Sequence, residues 1–296
     1  MLNVSGSVET RKQWRAIAAV QAENCRGVDR VMKTALMTEF RPDASQLLGT
    51  LLREGVAIVP NYWTADECAA GRAEIDRLIA DYPNAVRRFS GGADKRMFGV
   101  EMVSEVLARF HNDPFLIGVG EAHGGLELYN FATLGARIDA IGDNNGSGDG
   151  WHRDGFGFQY KSIIYLSDVD DDNGPYEYIP GSHKHWRAVM HTALGGLPPA
   201  PQSRFEAAEV DRLARRLLTP ARRHPARQGT LILTNTAGIH RGAPLRAGTR
   251  YALTNYFYHP YQVGDTLIEK FQPLIPGVKE RVMSFLEGPW HAVKHG

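Results

Sequence analysis

The 296-residue chain is poor in cysteine, in long apolar runs and in net charge. Its two cysteines, Cys25 and Cys68, cannot build a disulfide framework, so a reducing cytoplasm is the expected compartment. No stretch reaches the roughly 18 uninterrupted apolar residues that a membrane-spanning helix needs. The opening Met1-Leu2-Asn3-Val4-Ser5-Gly6-Ser7 lacks the basic-then-apolar order of a secretory signal. Basic and acidic residues nearly cancel (34 − 33 = +1), which argues against a general nucleic-acid binder with its stripe of excess basic charge. Internal repeats, heptads and low-complexity segments are absent too, and no linker is long enough to require two domains. What remains is an expected soluble globular protein, with no nucleic-acid or membrane partner.

The first 46 residues are charged and carry helical spacing over Arg11 to Val31 (Trp14, Ile17, Val20), so they read as a helical extension. Residues 47–296 read as one domain. In it, Leu51 to Pro60 suggests a helix end, a glycine break at Gly55 and a short strand closed by proline. Thr64 with Glu67 three positions on is a capping signature for a helix ending at Asp81-Tyr82-Pro83. Gly91 to Asp94 reads as a turn and Val103 to Phe110 as a short helix. From about Leu126 the pattern turns to short apolar runs between glycine, asparagine, aspartate and proline. The strands expected there are Leu126–Phe131, Ala136–Ile141, Ser162–Leu166, Thr230–Thr234 and Tyr251–Tyr258, a spacing that suggests a sandwich or barrel. Arg204 to Leu218 is amphipathic and expected to pack across the β unit, within an insert over about 190–227.

The strongest chemical signal is Gly150-Trp151-His152-Arg153-Asp154-Gly155. On an extended segment, side chains alternate with a period of two, so His152 and Asp154 share a face and can serve one metal ion. Such a pair suits a non-haem ferrous ion if a second histidine completes a facial 2-His-1-carboxylate set. His240 can supply it, lying 240 − 152 = 88 residues on and just after the strand at Thr230–Thr234. Ten residues later Arg250 opens an alternating strand on which Arg250, Ala252, Thr254 and Tyr256 share one face. An inward arginine needs a carboxylate partner, and its forked guanidinium fits one in two-point geometry. A protein acid at the rim is the plain alternative for that partner.

The order His152-x-Asp154, then Asn173-Gly174-Pro175 leading to Ile179-Pro180-Gly181-Ser182-His183, then His240 and Arg250, resembles the phytanoyl-CoA dioxygenase family. Leu166 to Pro175 is similar to that family's strand and turn, and Arg53 to Pro60 with the helix after Thr64 resembles its N-terminal start. Together these cover roughly residues 47–258. The resemblance implies a mainly β fold with helical additions around a double-stranded β-helix (jelly roll, cupin-like) core. It implies an Fe(II)- and 2-oxoglutarate-dependent dioxygenase that uses dioxygen to hydroxylate a small molecule, releasing succinate and CO2. His152, Asp154 and His240 would be the iron ligands and Arg250 the anchor of the distal carboxylate of 2-oxoglutarate. Asp154 disfavours halogenation, for which related enzymes carry a small residue there. The family often has a hydroxyl or amide two positions after the distal histidine, where this chain has Gly242. Arg137, Lys161 and Ser162 are the further candidates for cosubstrate contacts, and Arg246 is a competitor of Arg250.

Two other classes compete: a non-catalytic β-helix binding module, and a cupin-like metal enzyme that uses no oxo acid. The first would be expected to have lost a ligand; the second would draw on His183 and His185, which fall in a turn. Asp168, Asp170 and Asp172 imitate the start of a calcium loop, but Asn173 and Ile179 stand where glycine and glutamate belong. The glycine-rich loop Gly142–Asp149 lacks the Lys-Ser/Thr ending of a phosphate loop and reads as a flexible approach to the site. Phe156 and Phe158 are close enough to line a pocket. The basic insert, with Arg204, Arg212 and Arg215 among its arginines, reads as a lid, with a solvated helix face as the plain alternative and an anionic substrate as the functional one.

Overall fold

The computed structural model describes residues 44–142, 144–184, 203–217, 219–259 and 265–278, together with Arg187 and Gln262. The helix expected over Arg11 to Val31, Cys25, His185 and residues 190–202 of the insert lie outside them. Helix α1 (Ala44–Glu54) buries Leu47 and Leu51 and ends at Gly55, which turns the chain at φ 83° into β1 (Val56–Val59). The capping signature forms as read. In α2 (Ala65–Asp81) the Glu67 backbone N–H donates to Thr64 Oγ1 (3.3 Å) and the Thr64 N–H donates to Glu67 Oε2 (2.8 Å). A hairpin follows that the alternation rules did not suggest, β2 (Arg87–Phe89), too short to show a period, and β3 (Asp94–Phe98). Helix α3 (Glu105–His111) is capped by Ser104. The unexpected α4 (Pro114–Gly124) is capped by Asp113, with proline at its first position, where no N–H is needed.

The remaining elements are β4 (Tyr129–Asp139), β5 (Trp151–His152), β6 (Tyr160–Tyr165), β7 (Tyr176–Tyr178), β8 (Arg204–Phe205), α5 (Ala207–Leu217), β9 (Arg222–His224), β10 (Leu231–Asn235), β11 (His240–Gly242), β12 (Thr249–Tyr258) and α6 (Asp265–Phe271). Among the described residues the strands form two antiparallel sheets, ordered β1-β10-β6-β12-β4-β3-β2 and β8-β5-β11-β7-β9. The two strands expected over 126–131 and 136–141 are one, because β12 pairs with β4 from Thr249↔Asp139 to Tyr258↔Tyr129.

Period-two alternation divides the larger sheet cleanly. Tyr160 and Ile164 of β6, Leu231 and Leu233 of β10, and Leu253 and Phe257 of β12 join one apolar cluster with α1 to α4. Lys161, Ile163 and Tyr165, with Arg250, Ala252, Thr254 and Tyr256, face the other way, into a cavity shared with the smaller sheet. The insert is framework as well as cover. Its β8 and β9 are the two edges of the smaller sheet, and Phe205, Val210 and Leu213 pack on Trp151, Ile179 and Ile239.

On the helical side of β4 lies a sealed polar chain. His111 Nδ1 donates to Thr133 Oγ1 (2.7 Å), which donates to Asn255 Oδ1 (2.7 Å). Glu101 reaches to within 3.9 Å of His111 Nδ1, and its Oε2 is cut off from solvent without a hydrogen-bond partner. Burial raises the Glu101 carboxyl from an ordinary 4.5 to about 7 and lowers His111 to about 4, so near neutrality His111 offers no charge to pair. The folded protein keeps a Glu101 proton that the unfolded chain gives up near 4.5. This contribution to stability is complete below about 4.5 and is lost as pH rises through 7, on the order of 3 kcal/mol in all. Glu101→Gln keeps the shape without the charge. It is expected to melt near the wild-type temperature at about pH 4 and clearly above it at about pH 8. Thermal unfolding across that range checks this, and a gap independent of pH would rule Glu101 out as the source.

Candidate metal centre

His152 and His240 come from strands 88 residues apart in sequence, and the antiparallel pairing of β5 with β11 sets them directly opposite each other. Their rings lie 4.3 Å apart, centroid to centroid. Asp154 follows β5 by two residues and is held on the same face by its own N–H, which donates to the Thr236 carbonyl (3.0 Å) in the turn before His240. One ligand atom from each of His152, Asp154 and His240 lies within 4.8 Å of the others, and no further such group of three or more occurs among the described residues. The set drawn from the sequence is therefore brought together in space.

Both imidazoles are oriented the same way. His152 Nδ1 faces the Gly150 carbonyl at 2.8 Å and His240 Nδ1 faces the Gly238 carbonyl at 2.9 Å, so in each ring Nδ1 carries the proton and Nε2 keeps its lone pair. Tyr176 and Tyr178 flank the His240 ring at 5.7 and 6.5 Å. Gly148, at φ 87°, lies against the other histidine: a Cβ there would sit 2.2 Å from His152 Cε1. The glycine-rich loop thus passes close over the His152 ring at Gly148.

The electrostatics suit a divalent cation. Burial, helped by the neighbouring His152, pushes His240 down to about 3, and burial lowers His152 also, so both rings are neutral ligands near neutrality. Burial opposes the charge on Asp154, but the Lys161 ammonium beside it outweighs burial and helps hold the carboxyl well below the usual range. Lys161 Nζ stands 2.6 Å from Asp154 Oδ2, and Asp154 Oδ1 lies 3.9 Å from His152 Nε2. Two neutral imidazole nitrogens and one carboxylate, converging in one pocket, are the donor set of a facial 2-His-1-carboxylate iron site.

Around this group is a cavity of about 440 Å³. Arg250 projects into it and is 5% exposed, with no ion pair to a protein acid among the described residues. The rim-acid alternative for its partner is therefore not what the fold provides. Its guanidinium passes close over Gly242, where a Cβ would meet Arg250 Nη2 at 3.0 Å and Ser147 Cβ at 2.8 Å. Of the other candidates, Lys161 lines the cavity, while Ser162 and Arg137 do not. Ser162 is one step out of phase with Lys161 and is fully buried towards the helices. Arg137 alternates away from Ala136 and Ile138 and pairs with Asp76 (2.8 Å) and Asp139 (3.1 Å). Arg246 stays in its turn, its N–H donating to the Asp172 carbonyl (2.7 Å). His183 packs on Gly55 and His123, outside the ligand group. The Asp168–Asp172 run is a turn in which Asp170 Oδ1 accepts the N–H groups of Asp172 and Asn173. Sequence reasoning missed Arg96, Ser147 and Lys270 on the cavity wall. Asp94 and Arg96, two apart on β3, were the one available hint of a strand face carrying an ion pair.

Two antiparallel sheets enclosing a His-x-Asp pair, a distant histidine and an inward arginine define a jelly-roll protein of the double-stranded β-helix class. The family model for phytanoyl-CoA dioxygenase (PhyH) matches residues 51–249, and the chain belongs to that family. It is 28% identical over 166 residues to the ectoine dioxygenase of Stutzerimonas stutzeri (strain A1501), covering 50% of this chain and 53% of that one, so the match spans about half of that relative. With the L-proline trans-4-hydroxylase of Streptomyces griseoviridis it shares 25% identity over 258 residues, 78% of this chain and 94% of that one. Among solved structures, EctD from S. alaskensis with bound Fe superposes with a TM-score of 0.56 at 20% identity, over 75% of this chain and 79% of that one. The epimerase SnoN, in complex with Fe3+, alpha ketoglutarate and nogalamycin RO, gives a TM-score of 0.57 at 19% identity over 79% and 91%. At these identities the structural likeness speaks for the fold.

The Lys161–Asp154 pair has a measurable consequence. A cation entering the group must displace the ammonium from Asp154 and then sit beside it, and both effects oppose binding. Lys161→Met is therefore expected to bind Fe(II) more tightly than wild type in anaerobic titrations, by about tenfold, while His152→Ala loses tight binding. Weaker binding by Lys161→Met would show that the ammonium supports the metal.

Proposed function

We propose that the protein is an Fe(II)- and 2-oxoglutarate-dependent dioxygenase that hydroxylates a small molecule, with succinate and CO2 as coproducts. The single observation that carries this reading beyond metal binding is Arg250, an arginine buried in the wall of the same cavity as His152, Asp154 and His240 and making no ion pair with a carboxylate among the described residues. A buried guanidinium without a counter-ion is costly, and a ligand carboxylate removes that cost by two-point hydrogen bonding. This distinguishes the reading from a metal site that uses no oxo acid, and the intact ligand set distinguishes it from a binding module.

In this reading His152, Asp154 and His240 hold the iron, which with 2-oxoglutarate and dioxygen supplies the oxidising chemistry. The chain's own residues do the rest. The carbonyls of Gly150 and Gly238 keep both Nε2 atoms aimed inward, Arg250 fixes the distal carboxylate of the cosubstrate, and Lys161 offers a donor beside Asp154. Gly242 leaves the position two after His240 without a polar side chain. Ser147 fills that space: its carbonyl accepts the Gly242 N–H (3.0 Å), and its Oγ accepts from Arg96 (3.3 Å), so we assign Ser147 as the second anchor. Residues 47–296 are read as one oxygenase domain. Among the described residues no helix is long and apolar enough to cross a membrane, and the free, buried Cys68 thiol fits a reducing cytoplasm.

Anaerobic addition of Fe(II) and 2-oxoglutarate is expected to give the weak visible charge-transfer band of such complexes. Absence of the band, together with absence of 2-oxoglutarate-dependent succinate release, would defeat the proposal. Arg250→Ala is expected to raise the KM for 2-oxoglutarate about thirtyfold, the equivalent of roughly 2 kcal/mol for a charge-assisted contact. Gly242→Ala, which pushes on the same guanidinium, is expected to shift it in the same direction. An unchanged KM in Arg250→Ala would place the cosubstrate elsewhere.

A further inference from the structure

A buried tyrosine usually spends its O–H on a partner within the chain. The sheet tyrosines near the cavity follow that rule. Tyr165 donates to the His224 carbonyl (3.3 Å), Tyr176 shares a hydrogen bond with Thr234 Oγ1 (2.9 Å), and Tyr178 donates to the Asn235 carbonyl (2.8 Å). The Tyr258 hydroxyl accepts from Gln159 Nε2 (2.5 Å). At Tyr256 the rule fails. This residue lines the cavity and is 9% exposed, yet its hydroxyl makes no hydrogen bond to any described residue. Tyr160 also leaves its hydroxyl unpaired, but within the apolar cluster on the helical side of the sheet, away from the cavity.

The Tyr256 ring is held in place by its neighbours. Phe271 lies 4.6 Å from it and Phe98 6.1 Å, and Lys161 Nζ stands 4.5 Å from its centre. Lys161 is the register partner of Tyr256 across β6 and β12, and the same ammonium is 2.6 Å from Asp154 Oδ2, so the phenol stands beside the metal group. Arg250 lies six residues back on the same face of β12, about 20 Å of strand away. Between them Ala252 and Thr254 present only short side chains to the cavity, which leaves room above the strand. The proposed cosubstrate anchor and the unspent hydroxyl therefore sit towards opposite ends of β12. Beyond Tyr256, Phe98 and Phe271 meet edge to face at 5.2 Å and continue the cavity wall. That wall is pinned, because Arg87 donates to the carbonyls of Lys270 (2.6 Å) and Gln272 (2.9 Å) on either side of Phe271.

We propose that Tyr256 is the specificity-determining hydrogen-bond donor for the substrate, taking an acceptor oxygen while the apolar body of the molecule lies against Phe98 and Phe271. This rests on the oxygenase reading and names its substrate class, a small non-cationic molecule with an apolar ring and an acceptor oxygen. Such pockets orient their ligands through a few polar groups set in an apolar wall. A donor placed to meet a substrate oxygen rejects the analogue that lacks it, because the donor then stays unpaired. The ammonium groups against this wall, Lys161 over Tyr256 and Lys270 over Phe271 (5.4 Å), disfavour a cation.

Fluorine NMR titration of the full chain, loaded anaerobically with Fe(II) and saturating 2-oxoglutarate, tests it with two matched probes. These are para-fluoroacetophenone and para-fluoro-α-methylstyrene, which share a ring and differ in having C=O or C=CH2. The ketone is expected to bind about tenfold more tightly. Tyr256→Phe should remove that preference by weakening the ketone alone, and should leave unchanged the 2-oxoglutarate concentration needed for the visible band. Tyr258→Phe, which deletes a hydroxyl already in use, should keep the preference, and Phe271→Leu should weaken both probes alike. The proposal is overturned if neither probe binds, if the two bind equally, if Tyr256→Phe weakens both alike, or if Phe271→Leu weakens neither. It is also overturned if Tyr258→Phe loses the preference as well, which would mark the effect as structural. A higher 2-oxoglutarate requirement in Tyr256→Phe would overturn it by assigning the hydroxyl to the cosubstrate. Absence of the band in wild type would instead defeat the oxygenase reading, and the probe comparison, which reads binding and not turnover, would still decide the role of Tyr256.

Discussion

The pairing of β5 with β11 fixes the register on which everything at the centre depends. It sets His240 opposite His152, and in an antiparallel ladder a one-residue slip would turn one ring away from the other. Strand β5 is only two residues long and could not hold that register alone. Its neighbours do: β8 pairs along its outer edge, the Asp154 N–H is tied to the Thr236 carbonyl, and the Arg153 guanidinium clamps the carbonyls of Ser182 and Ala237 from the opposite face. The insert therefore supports the metal ligands as well as flanking the cavity mouth, because its first strand is the one that steadies His152.

Burial then decides the charges. Removing both imidazoles from water keeps them neutral, so they can ligate, and the single carboxylate remains ionised because Lys161 stands beside it. The same cavity gathers more basic than acidic side chains. Some of that excess is absorbed internally, as in Arg96 on Asp94, and some by backbone carbonyls, which orient a guanidinium but do not neutralise it. What is left faces the cavity at Arg250. A site of this kind favours an anion at Arg250, where positive charge fixed by the fold meets no ion-pairing acid among the described residues.

Much of this was legible in the sequence. The Thr64–Glu67 cap, the Gly55 break, the strands around 162–166, 230–234 and 251–258, and the shared face of His152 and Asp154 all follow from interactions within a few residues of one another. Arg250 sharing a face with Ala252, Thr254 and Tyr256 follows from the same alternation. The errors have the same origin. Ser162 and Arg137 were chosen for their chemistry, and one step of strand phase sends each to the far face. The strands β2, β5, β7, β8, β9 and β11 have two or three residues each, too few to carry a period, and exist because a neighbour pairs with them.

The sequence by itself determined the local grammar: where helices start and stop, which residues alternate together on a strand, and that a His-x-Asp pair, a later histidine and an arginine were present in an order resembling one oxygenase family. Only the tertiary structure decided that β11 lies against β5, that Gly148 and Gly242 are the places where the glycine loop meets His152 and Ser147 and Arg250 crowd in, and that α6 brings Lys270 to the cavity rim. The physical reason is range. Propensity, capping and alternation act between residues close in the chain, whereas a binding site is made of groups far apart in it, whose proximity depends on strand pairing and on the packing of side chains such as Phe271.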